Sequence, residues 1–435
     1  MGCVRPARQG FFPLDEELQL VAGSLTPHVQ ACLTRLGSWM PFEKAAGTLE
    51  DMLQVHISAA TTRRQTETWG AGYVAVQEQE AERIERESPP APAGPGKQLL
   101  SADGTMVPLV KGESAEVKTL VLGEIGEPVL EKGEWVVHAR QLSYFSRLAE
   151  ADTFTRLALV ETHRRGVETA GQVIAVTDGA EWEQGFIDYH RPDAVRVLDF
   201  PHAAGYVAQI GAAIWGADTP TTKEWLTHQL HQLKHEGPSA VLPELRALTE
   251  AHPEIPKLAE HLAYLEKREA HMQYPIFQAC GWPIGSGSVE SSHRLIVGPR
   301  LVGAGMHWAR VHVSPMLALR NALYNDRWEE ACSYIVAHQR QQVEQRRHAR
   351  SERHRTTRAA QLPQTAVVAP PTPLEPAPTL PSPQPTLTAE PTPPSAPPSD
   401  RPRQPWRPAP DHPWRRFPAC TSRPRPGPRA QAAKT

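Results

Sequence analysis

The sequence predicts an α/β domain that carries a long helical insertion, with a small helical domain before it and a Pro- and Arg-rich tail after it. Strand-like runs alternate with helical segments between residues 97 and 215, which is the order typical of α/β proteins. Residues 220–275 are polar and helix-like without a strand signal, and Pro dominates the chain from about residue 361. A chain of 435 residues, 40% of them hydrophobic, is long enough for two or three domains with sizeable cores.

The first element is a pair of helices within residues 26–69. The apolar residues of "PFEKAAGTLEDML" (41–53) recur on one helix face, and Ser58 can cap a second helix that carries Arg63 and Arg64 near its start. Two helices across a short turn fit a DNA-binding helix-turn-helix, although the same pattern is common in any helical protein. We expect residues 1–75 to form an N-terminal helical DNA-binding domain.

The next segment, 76–98, reads as the end of a charged helix followed by the linker "SPPAPAGPGK" (88–97). The α/β domain is expected over residues 99–345. Three strand-like runs open it, followed by a helix at 149–168, a buried strand at 173–176, and a strand and helix within 194–215. The helical insertion at about 220–275 comes next, and helices continue from residue 289 to about 350.

Three carboxylates in this domain are candidates for one site. Asp103 and Asp178 each follow a strand-like run and precede a glycine, so both can lie at the strand ends where α/β proteins bind ligands. "DG" is also an ordinary turn signal. Glu290 follows the glycine-rich loop of "PIGSGSVESSHR" (283–294), where an acid in the first helical turn is favoured in any case.

Such a group of acids would repel itself unless a cation lay within it. Mg²⁺ prefers oxygen ligands and keeps waters that a phosphate substrate can replace. Two such ions can stabilise the attacking and leaving oxygens of a phosphodiester. We therefore expect Mg²⁺ (or Mn²⁺) at Asp103, Asp178 and Glu290.

Charge is unevenly distributed along the chain. Residues 336–435 contain 16 Arg or Lys and 6 Asp or Glu, a net charge of +10, so residues 1–335 carry −12 of the total of −2. The basic end suggests an anionic partner, or else a solvated tail. Residues 361–435 are too rich in Pro to form a core, and we expect them to be disordered.

The order of "SADGTMVPL", "VIAVTDGAEW", "VLDFPHAAGYV" and "GSGSVESSHRLIVGPRLVGAGMHW" resembles the transposases of bacterial insertion sequences that have an RNase H-like DDE domain. The Kra-type group is the most similar, and the resemblance covers about residues 10–345, including "GFFPLDEEL" near the start. It implies an RNase H-like fold for the catalytic domain, with Asp103, Asp178 and Glu290 as the catalytic, metal-binding triad. Asp199 and His202 in "DFPH" would be accessory, although a helix cap and a first-turn histidine explain them equally well.

The resemblance also implies metal-dependent DNA cleavage and strand transfer. The partners would be the terminal inverted repeats of the element, the target DNA and further copies of the chain in a synaptic complex. Arg294, Arg300, His307 and Trp308 would contact DNA, while a core position suits the tryptophan equally. A metal-dependent nuclease on the same fold and a catalytically dead DNA-binding remnant are the alternatives.

The cysteines and the hydropathy bear on localisation. Five scattered cysteines without a C-x-x-C motif indicate neither a disulfide framework nor a cysteine zinc site. The sequence has no run of about 18 apolar residues and no stretch with the pattern of a signal-peptide h-region. We expect a cytoplasmic protein without membrane contact, associated with the nucleoid when it is bound to DNA.

Overall fold

A computed structural model describes residues 25–360, except residues 132 and 304, and a five-stranded sheet lies at its centre. The sheet order is β5-β2-β1-β6-β7. The β1–β2 and β2–β5 pairs are antiparallel, whereas β1, β6 and β7 run parallel. The strands are β1 (Lys97–Pro108), β2 (Ser114–Ile125), β3 (Val129–Glu131), β4 (Glu134–Val136), β5 (Ala139–Arg147), β6 (Gln172–Thr177) and β7 (Val195–Leu198).

Helices account for most of the remaining described residues. They are α1 (Pro27–Trp39), α2 (Phe42–Leu53), α3 (Ala59–Glu87), α4 (Ala151–Arg164), α5 (Glu181–His190), α6 (Phe200–Trp215), α7 (Pro220–His235), α8 (Pro238–Ala251), α9 (Pro256–Lys267), α10 (Tyr274–Ala279), α11 (Gly287–Ser292), α12 (Gly298–Leu301), α13 (Arg310–Tyr324) and α14 (Trp328–Ala360). Short 3₁₀ turns lie at Val110–Gly112, Val167–Thr169 and Glu269–Met272, and a π-helix at His293–Val297 joins α11 to α12. None of the helices in the described part of the chain combines the length and the apolar character that crossing a membrane requires.

Helices cover both faces of the sheet. Successive residues of a strand point to opposite faces, so neighbouring residues of one strand belong to different cores. Leu99 and Ile174 belong to a core shared with α6 and the helices after it. Their neighbours Leu100 and Ala175 belong to a second core, which is completed by α4 and α5. The edges where the parallel strands end therefore lie between two helical layers.

The structure confirms the predicted α/β class and most of the elements. The strand predicted at 173–176 is β6, and the predicted helical insertion consists of α7, α8, α9 and α10. The third strand-like run, 134–145, is not one strand: β4 pairs with β3 in a separate hairpin, and only β5 joins the main sheet. The run divides because residues 137 and 138 interrupt the ladder.

The N-terminal helices pack against the C-terminal ones. The sequence predicted one helix before residue 70 and a second, charged helix after it. The structure has a single 29-residue helix there, α3, which crosses the expected domain boundary at residue 75. Trp69 and Tyr73 of α3 share a hydrophobic core with α13 and α14. A Cβ at Gly70 would lie 2.4 Å from the carbonyl oxygen of Pro315, so the glycine allows the two helices to approach closely. The described residues belong to one compact unit.

The predictions for the two ends of the chain lie outside the described residues. These are the first part of the expected N-terminal domain, which includes "GFFPLDEEL", and the tail at 361–435.

Candidate active site

Asp103 and Asp178 lie together at one end of the parallel strands, as the sequence predicts. Residues 97–100 of β1 pair with residues 172–175 of β6, so the two strands run side by side up to the acids. Asp178 follows the last residue of β6. Asp103 is not at a strand end, however, because β1 remains paired with β2 through Pro108 after it has left β6. Both acids come three residues after the last β1–β6 pair, Leu100 and Ala175, so their carboxylates reach the same space.

A third carboxylate, which the sequence analysis did not select, completes the group. Oxygen atoms of Asp103, Asp178 and Glu183 all lie within 4.8 Å of one another. We call these three residues the acidic cluster; among the described residues it is a group whose ligand atoms could hold a metal ion. Glu183 is in the first turn of α5, one turn beyond Asp178, and its side chain is almost fully buried.

The carboxylate of Glu183 also fixes the turn that carries Asp178. Its Oε2 accepts hydrogen bonds from the backbone N–H groups of Gly179 (3.0 Å) and Ala180 (3.2 Å), which is the role of an acid at the third position of a helix. Its Oε1 is buried and has no hydrogen-bond partner in the structure. A carboxylate that has a free oxygen and belongs to a group of three acids is chemically suited to a hard divalent cation.

The electrostatics of the acidic cluster favour a cation or a retained proton. Burial, reinforced by the charges of Asp178, Glu116 and Glu290, raises the pKa of Asp103 to about 6, although the N–H of Gly104 opposes the shift. Burial and the nearby Asp178 raise the pKa of Glu183 to about 10. Among the groups that shift these two pKa values none is basic, so no ion pair with the protein offsets the repulsion.

Glu290, the third acid predicted from the sequence, lies at the rim of the site. It is exposed in the first turn of α11 and is not one of the three residues of the acidic cluster. Its charge is nevertheless close enough to contribute to the raised pKa values of both Asp103 and Asp199. The structure therefore brings two of the three predicted acids together and places the third beside them.

His293 opens the π-helix that follows α11, on the side of Asp103. Its Nδ1 is 3.7 Å from Oδ2 of Asp103, and its Nε2 is buried without a hydrogen-bond partner. Burial lowers the pKa of His293 to about 4, so the ring is neutral at physiological pH. Single π-turns are rare and occur often at functional sites.

Asp199 connects the strand end of β7 to the glycine-rich loop. It caps α6, with Oδ2 accepting from the backbone N–H of His202 at 3.0 Å, and Oδ1 accepts from the N–H of Ser286 at 2.6 Å. Burial is the main cause of its raised pKa. The helix cap, which the sequence left open as the alternative to an accessory role, is thus present, and the second bond joins α6 to the loop that leads into Glu290. His202 is half-buried, with its ring centre 5.4 Å from that of Tyr206.

The residues predicted to contact DNA differ in their accessibility. Arg63, Arg64, Arg294 and His307 are exposed. Arg300 and Trp308 are only 3% and 7% exposed, so the structure does not support a DNA contact for them.

Arg300 and Trp308 are packing residues. The Arg300 guanidinium lies 4.3 Å from the ring of Phe42 and 5.0 Å from that of Trp308, and its Nε donates to the carbonyl oxygen of Gly37 at 3.1 Å. The physical reason is that α1 and α2 cover this part of the chain, which no local sequence pattern reveals.

The sequence matches no protein-family model, and no curated protein is significantly similar to it.

Proposed function

We propose that this protein is a DNA transposase with an RNase H-like catalytic core, acting with Mg²⁺ or Mn²⁺. The observation that carries the proposal is the acidic cluster, with two aspartates on adjacent parallel strands and a buried third carboxylate against them. An antiparallel hairpin continued by two parallel strands, with acids at their carboxyl ends, is the arrangement expected of such a core. The motif order described above supplies the same assignment from the sequence.

The chemistry follows from the residues at the site. Asp103 and Asp178 would hold the metal together with Glu183, and Glu290 would join them from the rim. Bound metal supplies activation of the attacking oxygen and charge stabilisation at the phosphate. In the cleavage step, water attacks the phosphorus, the bond to the 3′ oxygen breaks, and that oxygen leaves as a 3′-hydroxyl. In the joining step, this hydroxyl attacks a target phosphodiester and displaces its 3′ oxygen.

The exposed cations suit a polyanionic partner. Arg294 is exposed four residues after Glu290 and next to His293 in the chain, and it would contact a DNA phosphate. Arg63 and Arg64 are exposed at the start of α3, and the exposed second half of α14 carries Arg346, Arg347 and Arg350. Element ends and target DNA are the proposed partners, in a complex that contains further copies of the chain.

A cleavage and joining assay tests the proposal. The substrate is the gene with its genomic flanks, where the element ends should lie, mixed with a supercoiled target plasmid and Mg²⁺ or Mn²⁺. We expect metal-dependent nicking at the flanks and covalent joining to the plasmid. Nicking without joining would indicate a nuclease, and DNA binding without either activity would indicate a catalytically dead remnant.

Matched variants connect the activity to the site. Asp103→Asn and Asp178→Asn should each reduce cleavage at least about a hundredfold, because each removes a charged ligand while keeping the side-chain shape. Asp188→Asn makes the same chemical change at an exposed aspartate of α5 and should leave cleavage unchanged. Equal cleavage activity in all three variants would show that the acidic cluster has no role in cleavage.

The third ligand is tested by comparing Glu183→Gln with Glu290→Gln. Glu183 lies within the acidic cluster, so its change should weaken Mn²⁺ binding by the free protein as well as cleavage. Glu290 is exposed at the rim, so its change should reduce cleavage and leave most of the Mn²⁺ affinity. Wild-type cleavage by Glu290→Gln would exclude it from the triad predicted from the sequence.

A further inference from the structure

The helical insertion contacts the backbone that carries Asp178. The hydroxyl of Tyr264, in the last turn of α9, donates a hydrogen bond to the carbonyl oxygen of Asp178. Arg268, which ends α9, donates to the carbonyl oxygen of the next residue, Gly179, from Nε at 3.1 Å and from a terminal nitrogen at 2.6 Å. These bonds join parts of the chain that are 86 and 89 residues apart. We call Tyr264 and Arg268 the insertion clamp.

Other contacts hold the two donor side chains in place. The Tyr264 ring stacks on Tyr206 of α6, with ring centres 3.9 Å apart and planes 9° from parallel. The guanidinium of Arg268 lies 3.6 Å from the centre of the Tyr264 ring and also donates to the Tyr264 carbonyl oxygen at 3.1 Å. The insertion clamp is therefore a packed unit rather than two independent surface side chains.

Gly179 makes this close approach possible. Its φ is +83°, in the left-handed region, and a Cβ there would lie 2.5 Å from Nε of Arg268. Any other residue would strain the turn and push away the guanidinium. The glycine of the "DG" pattern after β6 is thus required for the contact with the insertion as well as for the turn.

The opposite side of the same turn is fixed by the acidic cluster. Glu183 accepts from the N–H groups of Gly179 and Ala180, and Oδ1 of Asp178 accepts from the Ala180 N–H at 2.8 Å. The carbonyl groups of the turn are bonded to the insertion, and its N–H groups are bonded to carboxylates. The direction of the Asp178 side chain is consequently set from both sides.

We infer that the helical insertion positions Asp178, with Tyr264 and Arg268 as positioning residues that keep the carboxylate oriented for its ligand. The inference rests on the proposed function, in which that ligand is a divalent metal. A preorganised ligand group loses less conformational freedom on binding, so metal affinity should depend on the insertion clamp. The insertion, which contributes no residue to the acidic cluster, thereby has a role in its chemistry.

The test uses the full chain and two variants of the insertion clamp. Tyr264→Phe removes one hydroxyl and keeps the ring stack, and Arg268→Met removes the guanidinium donors. The controls are Tyr189→Phe, whose exposed hydroxyl bonds only Glu85 at 3.3 Å, and Arg246→Met, which breaks a two-bond pair with Glu266 inside the insertion. The readouts are Mn²⁺ affinity by calorimetry, hydrogen exchange of the segment 177–184, and thermal stability.

Both variants of the insertion clamp should exchange the amides of 177–184 faster and bind Mn²⁺ about tenfold more weakly, because hydrogen bonds to the turn are lost. The controls should change neither quantity, and added Mn²⁺ should restore the cleavage rate of the variants. Unchanged exchange and affinity, or a lower melting temperature with unchanged affinity, would overturn the inference. A wild-type protein that binds Mn²⁺ but neither cleaves nor joins DNA would overturn the proposed function alone.

Discussion

The acidic cluster and the site of Arg320 both contain buried charged side chains, but they differ in how completely hydrogen bonds satisfy those side chains. Arg320 of α13 is fully buried, and each of its three nitrogens donates to a backbone carbonyl, of Ile296, Ser38 and Leu295. In the acidic cluster, an oxygen of Glu183 has no partner, and burial together with neighbouring carboxylates raises the pKa values of Asp103 and Glu183.

Hydrogen bonding and charge balance distinguish the two sites. Burying a charge is costly unless hydrogen bonds replace its water, and each nitrogen of Arg320 has such a bond. In the acidic cluster, backbone N–H groups bond an oxygen of each acid, but no basic group shifts the pKa of Asp103 or Glu183 and one oxygen of Glu183 has no partner. The negative charge of the cluster therefore destabilises the folded chain until a cation binds. We therefore expect opposite results when the charge is removed from the two sites.

The largest effect should come from Arg320. Changing Arg320→Met removes three hydrogen bonds from a fully buried side chain to backbone carbonyl groups and should lower the free energy of unfolding by about 3 kcal/mol or more. Urea unfolding followed by circular dichroism measures this. Arg310→Ala, on the exposed side of the same helix, is the matched control and should change it by less than about 0.5 kcal/mol. A small loss at Arg320 would remove the distinction between the two sites.

Metal binding should have the next largest effect, and only at the acidic cluster. Mn²⁺ at about one hundred times its dissociation constant should stabilise the folded protein by about 2.7 kcal/mol. The gain should disappear in Asp103→Asn and persist in Asp188→Asn, as measured by thermal unfolding with and without Mn²⁺. A gain that survives in Asp103→Asn would place the metal elsewhere.

In the metal-free protein, the pH dependence of the free energy of unfolding should show the repulsion between Asp103 and its neighbouring carboxylates. Because the pKa of Asp103 is raised to about 6 in the folded state, the folded chain keeps a proton that the unfolded chain has already lost between about pH 4 and pH 6. Stability should therefore fall as pH rises through this window.

Relative to wild type, Asp103→Asn should gain about 1–2 kcal/mol between pH 4 and pH 6, a range that allows for the partial exposure of the carboxylate. Urea unfolding at several pH values measures the difference. A wild-type curve parallel to that of Asp103→Asn would show that the carboxylate is not destabilising.

The smallest effect on stability should come from exposed arginines. Arg63→Ala combined with Arg64→Ala should change the free energy of unfolding by less than about 0.5 kcal/mol. The double change should weaken binding to the element ends and reduce the salt slope of that binding by up to about 1.8, since two phosphate contacts are lost.

The control for the exposed arginines is the double change of Arg83 and Arg86 to Ala on the same helix. These two side chains are paired with Glu80 and Glu87, so their removal should affect DNA binding less. Gel-shift titrations over a range of salt give both quantities. Equal losses of DNA affinity in the two double variants would show that the start of α3 has no specific role in DNA recognition.

Local sequence patterns predicted many elements of the fold because those patterns reflect local physics. The apolar run before Asp178 is a strand, and the polar segment 220–275 is helical, since side-chain periodicity and turn residues act within a few positions. The site was only half predictable for the same reason. Two aspartates that follow strand-like apolar runs can be recognised one by one, whereas the rim position of Glu290 depends on how a distant loop packs.

Glu183 is the residue of the acidic cluster that the sequence did not predict. An acid at the third position of a helix that follows Asp178 is a recognisable capping signal, and it lay within the segment already selected. The pattern predicts a cap, but it does not indicate that one carboxylate oxygen stays buried and unpartnered beside two other acids.

Local sequence patterns were enough to predict the α/β class, the helical insertion and the proximity of Asp103 to Asp178. The folded chain was needed to show that Glu183 joins these two acids, that Arg300 and Trp308 are buried under α1 and α2, and that the insertion bonds the turn after β6. The physical reason is distance along the chain. Helix and strand formation follow from neighbouring residues, whereas burial and carboxylate repulsion depend on segments that come together only when the whole chain has folded.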